Sequence, residues 1–377
     1  MATNSDILVI GGGIAGLSGA AAMADKASVV LLEAEAQTGF HTSGRSATMF
    51  HYALGNPLIR RLTQASRETF VSPSDEFGAA PLGRRMTLLV HARADELDDL
   101  DRAAVDMAEF TDAEIVDEAG LRAHCSLLKV GDQGSVRGIA DRDCLKIDQH
   151  ALMQGFGRQL RARGGRVVTG TRAAAIERMR GCWQVTSESG ERFEAPILVN
   201  AAGAWSDSVA ILAGVTPIGL RPLRRTIITF DAPDGADLER LPFTKTVNDE
   251  LYFGAESGRL FASPMDEEPS DPCDSQPDEI GIATAAWRVE DRTHAKVETV
   301  CAKWSGLRVF TPDRSPAVGF APDCEGFFWL AGQGGAGLQT SPALSAVAAA
   351  LVERRPSPLA GIELAAIDPG RFAGQAA

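Results

Sequence analysis

The stretch Gly11-Gly12-Gly13-Ile14-Ala15-Gly16 limits the fold of this chain more than any other. An apolar run, Ile7 to Ile10, enters it, a helix of small residues from Ile14 to Ala24 leaves it, and Val29-Val30-Leu31-Leu32 ends in Glu33. Strand, tight turn, helix, strand and acid in this order are what a bound dinucleotide requires. Gly11 permits the turn, Gly13 lets the backbone approach a pyrophosphate, and Gly16 lets the helix pack close to the strands. Ile14 and Ala15 open a helix whose N-terminus offers unpaired N–H groups and partial positive charge to phosphates. Glu33, followed by Ala34, stands at the tip of the second strand, placed to accept hydrogen bonds from ribose hydroxyls. An acid there repels a 2′-phosphate and disfavours NADP. Among 38 glycines the glycine pattern alone would mean little; the flanking strand, helix and acid give it force.

At 377 residues the chain exceeds the size of a single core, so two domains are expected. Its formal charge of −13 argues against nucleic acid or an anionic membrane surface as partner. The six cysteines are scattered with no C-x-x-C pair and read as free thiols in a reducing compartment. The N-terminus lacks a basic region, so no signal peptide is expected. The longest apolar helix pattern, about Pro342 to Val352, is too short to span a bilayer. These features point to a cytoplasmic protein without a transmembrane segment. Six histidines without metal-ligand spacing give no support for a metal site.

Further along, the loop Gln37 to Thr48 is small and polar yet holds His41 and Arg45, as a ligand-facing loop would. Asn56-Pro57 starts a helix to about Phe70. Met86 to Val90 reads as a strand and Asp95 to Phe110 as an exposed acidic helix. Asp148 caps a helix ending at Gly164-Gly165, followed by the strand Arg166 to Val168. Cys182 to Thr186 and Arg192 to Ala195 flank the hairpin signal Ser189-Gly190. Ile197 to Asn200 enters Ala201-Ala202-Gly203-Ala204-Trp205, a second close-approach turn. From Pro217 to about Val300 alternating strands, among them Arg225 to Phe230, predict an antiparallel sheet, with Asp266 to Asp278 an exposed loop. Phe327 to Leu330 then enters Gly332 to Thr340, a second glycine-rich turn that aims another helix at the same ligand.

Together these stretches resemble the D-amino-acid oxidase superfamily of FAD-dependent amine oxidoreductases. Gly11 to Glu33, Gly44-Arg45-Ser46, Asn200 to Trp205, Trp304-Ser305-Gly306-Leu307-Arg308 and Gly332 to Thr340 carry the resemblance over nearly the whole chain. Leu220 to Arg225 and Gln333 to Ser341 are most similar to the bacterial D-arginine dehydrogenase branch. The resemblance implies an α/β fold, with a glutathione-reductase-type, Rossmann-like FAD domain (1–80, 145–216 and 302–377). A second, α+β substrate domain (81–144 and 217–301) is built on a mostly antiparallel sheet. It implies oxidative deamination of D-amino acids, in which a C–H bond next to an amine gives a hydride to flavin N5 and the imine hydrolyses to a 2-oxo acid. Alternatives are oxidation of a secondary amino acid such as sarcosine, oxidation of a 2-hydroxy acid, or flavin binding without turnover.

By position in that family, Arg308 is the carboxylate anchor, a planar fork able to hold both oxygens. Tyr252 and Arg225 lie on strands facing the flavin, with Arg221 and Arg224 as competitors for the place of Arg225. The cofactor would be held by Gly11, Gly13, Ile14, Ala15, Gly16, Glu33 and Ala34, and by Ser43, Gly44, Arg45 and Ser46. Val168 would contribute through its backbone, along with Ala201, Ala202, Gly203 and Trp205. Gly334, Gly335, Ala336, Gly337, Leu338, Gln339 and Thr340 would close the site near flavin N1 and O2. Covalent members carry a cysteine just before a T-P-D-like segment. Here Arg308-Val309-Phe310 precedes Thr311-Pro312-Asp313, so FAD is expected to be non-covalent.

Met49, His51 and Leu54 depart from the D-arginine dehydrogenase pattern. His51 and Tyr52 either line a different pocket or belong to the core. Gly83-Arg84-Arg85-Met86-Thr87-Leu88 lacks the acid that a basic substrate side chain would need. A neutral, apolar side chain is therefore expected, with an acidic one open if Arg84 or Arg85 turns inward, and D-arginine and D-lysine should be poor substrates.

Overall fold

Residues 2–78 and 80–374 are described in a computed structural model; Met1, Ala79 and 375–377, which the expected domain bounds include, lie outside them. The apolar strands Ile7–Ile10, Val29–Leu32, Arg166–Val168, Ile197–Asn200 and Phe327–Ala331 form the parallel core of a six-stranded sheet. The sixth, Ala317–Phe320, is antiparallel at one edge. Being covered on both faces, its strands need continuous rather than alternating apolar residues. The helices Ile14–Met23, Gln149–Ala162 and Gly337–Val352 cover one face, joined through Leu17, Val347 and Leu160 in one core. On the other face a small four-stranded sheet contributes Trp183, Val185 and Phe193. The expected caps are in place: Asp148 accepts the Ala151 N–H, and Asn56 accepts that of Ile59 ahead of Pro57.

The second sheet has eleven strands and is antiparallel except where Phe243–Thr246 runs parallel to Gly83–Ala92. Several stretches placed by sequence with the cofactor half join this sheet instead, among them Gln333–Gly334, which pairs with Val309 and Phe310, and residues 145–147 at the end of the strand Arg137–Ile147. Ala302–Phe310 pairs with Arg221–Phe230 along its whole length, and Met49–Phe50 pairs with Lys146 and Leu145. Alternation gives the sheet two different faces. One carries Ile228, Phe253 and Ala262 and packs on the helix Glu279–Arg292. The other carries Ile227, Tyr252, Phe243 and Phe261 and faces the dinucleotide-type half.

Two expectations fail here. The sequence pattern predicts strands from Pro217 to about Val300, yet Glu279–Arg292 is a helix, capped by Asp278 and buried along Ala285 and Val289. The loop 266–278 is not simply exposed. Ser275 is buried and bonded to Ser305, and Asp266 accepts both the N–H and the hydroxyl of Thr226, so the loop is strapped to the sheet. Among the described residues, no helix is long and apolar enough to cross a membrane.

Candidate active site

One long cavity runs from the first glycine turn to the inner face of the large sheet. Gly11 has φ +108, and a Cβ on it would lie 2.4 Å from the Ala201 carbonyl oxygen. A Cβ on Gly16 would lie 1.8 Å from the Gly11 carbonyl oxygen, so Gly16 seats the helix on the turn without itself lining the cavity. Gly11, Gly13, Ile14 and Ala15 do line it. The Ser43 hydroxyl accepts the Ile14 N–H at 2.9 Å, which ties the 37–48 loop to the helix N-terminus.

Glu33 is nine-tenths buried; its carboxylate accepts the N–H of Gly12 at 2.6 Å and that of Glu35 at 2.8 Å. A carboxylate has about four lone-pair sites, which leaves acceptor capacity for hydroxyls, and both Glu33 and Ala34 line the cavity. Ala201, Ala202, Gly203 and Trp205 form the adjoining wall, with His41 against Trp205 at 4.7 Å between ring centroids. His41 Nε2 lies 3.1 Å from the Glu35 carboxylate, while its Nδ1 is buried without a protein partner.

The second glycine turn meets the first. A Cβ at Gly337 would lie 3.4 Å from Ile14 Cγ2, so the N-termini of the helices Ile14–Met23 and Gly337–Val352 converge on the same space. Gly334, Gly335, Gly337 and Leu338 line the cavity. Beyond them stand Arg308, Arg225, Tyr252 and Ile227. Arg225 is 5% exposed; it donates to the Asp266 carbonyl at 2.7 Å and to Glu267 at 3.3 Å, while its Nη1 has no partner. Burial, with the like charge of Arg308 adding to it, brings its pKa down to about 10, so it stays cationic at neutral pH. The Tyr252 hydroxyl is buried and unpartnered. Among the described residues, no side chain forms a hydrogen bond or ion pair with Arg308, whose strand position opposes Leu223. Buried polar groups are ordinarily satisfied, yet Arg225 Nη1, the Tyr252 hydroxyl and Gln333 Nε2 face this space unpartnered, beside the half-buried guanidinium of Arg308.

Several expected cofactor residues stand elsewhere. Val168 does not line the cavity: its carbonyl accepts the Glu33 N–H, and the wall there is Thr171, Arg172 and Ala173. Gly44 and Ala336 also lie outside the lining. Gln339 is buried against the helix Pro57–Val71, donating to Thr63 at 2.7 Å and bonding the backbone of His51. The Thr340 hydroxyl returns to the Ala336 carbonyl. Arg45 and Ser46 line the cavity, but the Arg45 guanidinium is committed to Asp274 and to the carbonyls of Ser275 and Ser305. Arg84 and Arg85 are exposed and cannot supply a basic inner wall, whereas Met49 and Met86 pack with Phe243 and Phe261. Tyr52 belongs to the core, stacked on Phe110, with its pKa raised by burial to about 12. His51 is buried and held neutral, its pKa brought down to about 3 by burial and by the charges of Lys245 and Arg308. Sequence reasoning missed Gln333, which lines the cavity with an unpartnered Nε2, and Thr42, whose hydroxyl donates to the Leu307 carbonyl.

The glycine cradle, the acid and the converging helix N-termini fit an FAD-type ligand: a side chain on the first turn would strike backbone, and the buried groups facing the space await partners. The fold agrees with solved structures. Glycine oxidase from Geobacillus kaustophilus superimposes with TM-score 0.84 at 20% identity, covering 98% of this chain and 99% of that one. L-proline dehydrogenase from P. horikoshii gives 0.85 at 19% identity, covering 99% of each. In sequence, the chain is 31% identical over 179 residues to FAD-dependent oxidoreductase domain-containing protein 1 of Xenopus laevis. That match covers 42% of this chain and only 35% of the relative, so the chain spans about a third of the relative's length. The family pattern described as FAD dependent oxidoreductase (DAO) matches residues 6–351. The chain is therefore an FAD-dependent oxidoreductase of the DAO family.

Proposed function

We propose that this enzyme oxidises α-amino monocarboxylates with uncharged side chains, D-amino acids first among them, to imines that hydrolyse to 2-oxo acids. The observation that carries the reading is Arg308, a guanidinium facing the cavity without a protein countercharge, beside the unfilled Tyr252 hydroxyl and Arg225 Nη1. Arg308 would hold the substrate carboxylate by charge-assisted bonds, while Tyr252 and Arg225 fix its orientation. Around these donors the cavity wall is apolar at Ala47, Ile227, Leu307 and Val309, with Met49, Phe243 and Phe261 packed in the core behind it, which favours an uncharged side chain, since a buried unpaired charge is expensive. FAD, once bound, supplies the acceptor for the two electrons that leave the carbon–hydrogen bond. The likeness of Leu220 to Arg225 and of Gln333 to Ser341 to the D-arginine dehydrogenase branch supports an amino-acid substrate and a D configuration.

The division of labour follows the two sheets, one holding the dinucleotide and the other the substrate, with the strand Ala302–Phe310 spanning both roles. Glycine oxidase and L-proline dehydrogenase among the similar folds keep a secondary or unsubstituted amine as the second reading. Anaerobic mixing of the FAD-loaded enzyme with D-amino acids, L-amino acids, glycine, sarcosine and 2-hydroxy acids separates these readings by bleaching of the flavin. Fastest bleaching by neutral D-amino acids is expected. Bleaching by none of the panel would mark a binding protein without turnover, and a preference for D-arginine or D-lysine would overturn the account of the side-chain pocket.

A further inference from the structure

The cations around the substrate end are matched with carboxylates in a way that leaves one charge over. Arg45 pairs with Asp274, Arg224 with Asp278 and Lys245 with Asp249. Arg225 is shared between Asp266 and Glu267. Glu267 also accepts from both terminal guanidinium nitrogens of Arg314, Nη1 at 3.0 Å and Nη2 at 2.8 Å. Arg225 and Arg314 are thus balanced by Asp266 and Glu267, and among the described residues Arg308 is the one cavity-lining arginine without a partner.

The Glu267 and Arg314 pair is built rather than incidental. Arg314 adopts φ +62, a left-handed conformation that costs a non-glycine residue energy and persists only where surrounding contacts hold it. Its guanidinium stacks 3.8 Å above the Phe310 ring, and Phe310 in turn fills the space beside Gly334 on the cavity wall. A bidentate, stacked arginine fixes a carboxylate in position as well as in charge. Glu267 is thereby held against the outer side of Arg225, whose Nη1 remains free on the buried side.

We propose that Glu267, anchored by Arg314, sets the charge of the substrate, holding the site at one unmatched positive charge so that it selects monoanions over dianions. Without the Glu267 charge, Arg225, Arg308 and Arg314 would face Asp266 alone, an excess of two that a dicarboxylate satisfies better. The proposal rests on the reading of Arg308 as a carboxylate site.

The test uses the FAD-loaded enzyme with butyrate and succinate, matched in carbon count, each titrated at neutral pH and fixed ionic strength and followed by perturbation of the flavin absorbance. Glu267→Gln keeps size and one acceptor oxygen and removes only the charge. Because the pair is part exposed, its charge is partly screened, and the succinate-to-butyrate affinity ratio should rise by about threefold to fivefold. Arg314→Met leaves Glu267 with Arg225 alone, makes the site less positive, and should shift the same ratio in the opposite direction. Opposite shifts support the proposal. A ratio unchanged in both variants, while butyrate still perturbs the flavin, overturns it; butyrate failing to perturb the parent's flavin overturns the reading of Arg308 beneath it.

Discussion

Arg308 occupies the space that a side chain at Gly335 would need: a Cβ there would lie 3.0 Å from Arg308 Nη1 and 3.2 Å from its Cζ. Arg308, proposed above as the carboxylate anchor, and the second glycine turn are therefore in van der Waals register, and the absence of a side chain at Gly335 lets the guanidinium lie this close. Gly335→Ala should displace the guanidinium by a few tenths of an ångström and raise KM for amino acids several-fold. FAD content and thermal stability should stay near those of the parent. A Gly335→Ala enzyme that loses FAD while keeping its KM would show that the turn serves the cofactor instead.

Tyr252 isolates one donor. Its hydroxyl is buried with no protein partner, so removing it leaves nothing behind unsatisfied. Deleting a buried polar group that lacks a partner is neutral or mildly stabilising, whereas losing a bond to a charged ligand costs about 1.5–3 kcal/mol. Tyr252→Phe is thus expected to leave Tm unchanged or slightly raised while weakening carboxylate binding about tenfold or more. Equal loss of stability and binding, measured by thermal melts and flavin titration, would assign the tyrosine to structure.

The first glycine turn, its helix and Glu33 were legible because every requirement on them is local: a turn that excludes Cβ, an orphan helix N-terminus, an acid at a strand tip. Arg225 was harder, since Arg221 and Arg224 offered the same chemistry. Strand alternation and strand position decide it, sending Arg224 to Asp278 and leaving Arg221 exposed. Val168 lies at the end of its strand outside the cavity lining, and only the fold shows that the chain turns there so that Thr171 to Ala173 reach the cavity. Gln339 belongs to a motif whose neighbours do line the site, but helical geometry points its side chain towards Thr63. The ties of Arg45, Glu267 and Arg314 join residues far apart in sequence, and no local pattern announces them.

Two buried histidines make stability depend on pH. His51 and His91 are both neutral in the fold, with pKa brought down by burial to about 3, whereas an unfolded histidine titrates near about 6.5. Below that value the unfolded chain binds more protons than the native one, so stability falls as pH drops and is fully present only above it. Each histidine contributes a slope of up to about 1.4 kcal/mol per pH unit between the two pKa values. Denaturant midpoints should decline from about pH 6.5 downwards, and His51→Asn should flatten the decline relative to the parent. A midpoint that is flat across this window would show that these rings titrate freely.

Glu33 links the first turn to the second strand, since its two carboxylate oxygens hold the N–H groups of Gly12 and Glu35. Glu33→Gln would turn an amide donor towards one of those N–H groups, leaving a buried donor unpaired and removing the charge that ribose hydroxyls would meet. The loss for hydrogen bonds to a charged group is about 1.5–3 kcal/mol, so FAD affinity should fall about tenfold to a hundredfold, read as flavin lost on gel filtration with the circular dichroism spectrum kept. The same experiment on the parent tests the mode of attachment. The strand before Thr311 offers Arg308, Val309 and Phe310 where a covalent link would need a cysteine, and Cys301 lies just outside that strand's opposite end. Heat or acid denaturation should therefore release intact FAD into the supernatant, and colour retained in the precipitate would show a covalent bond.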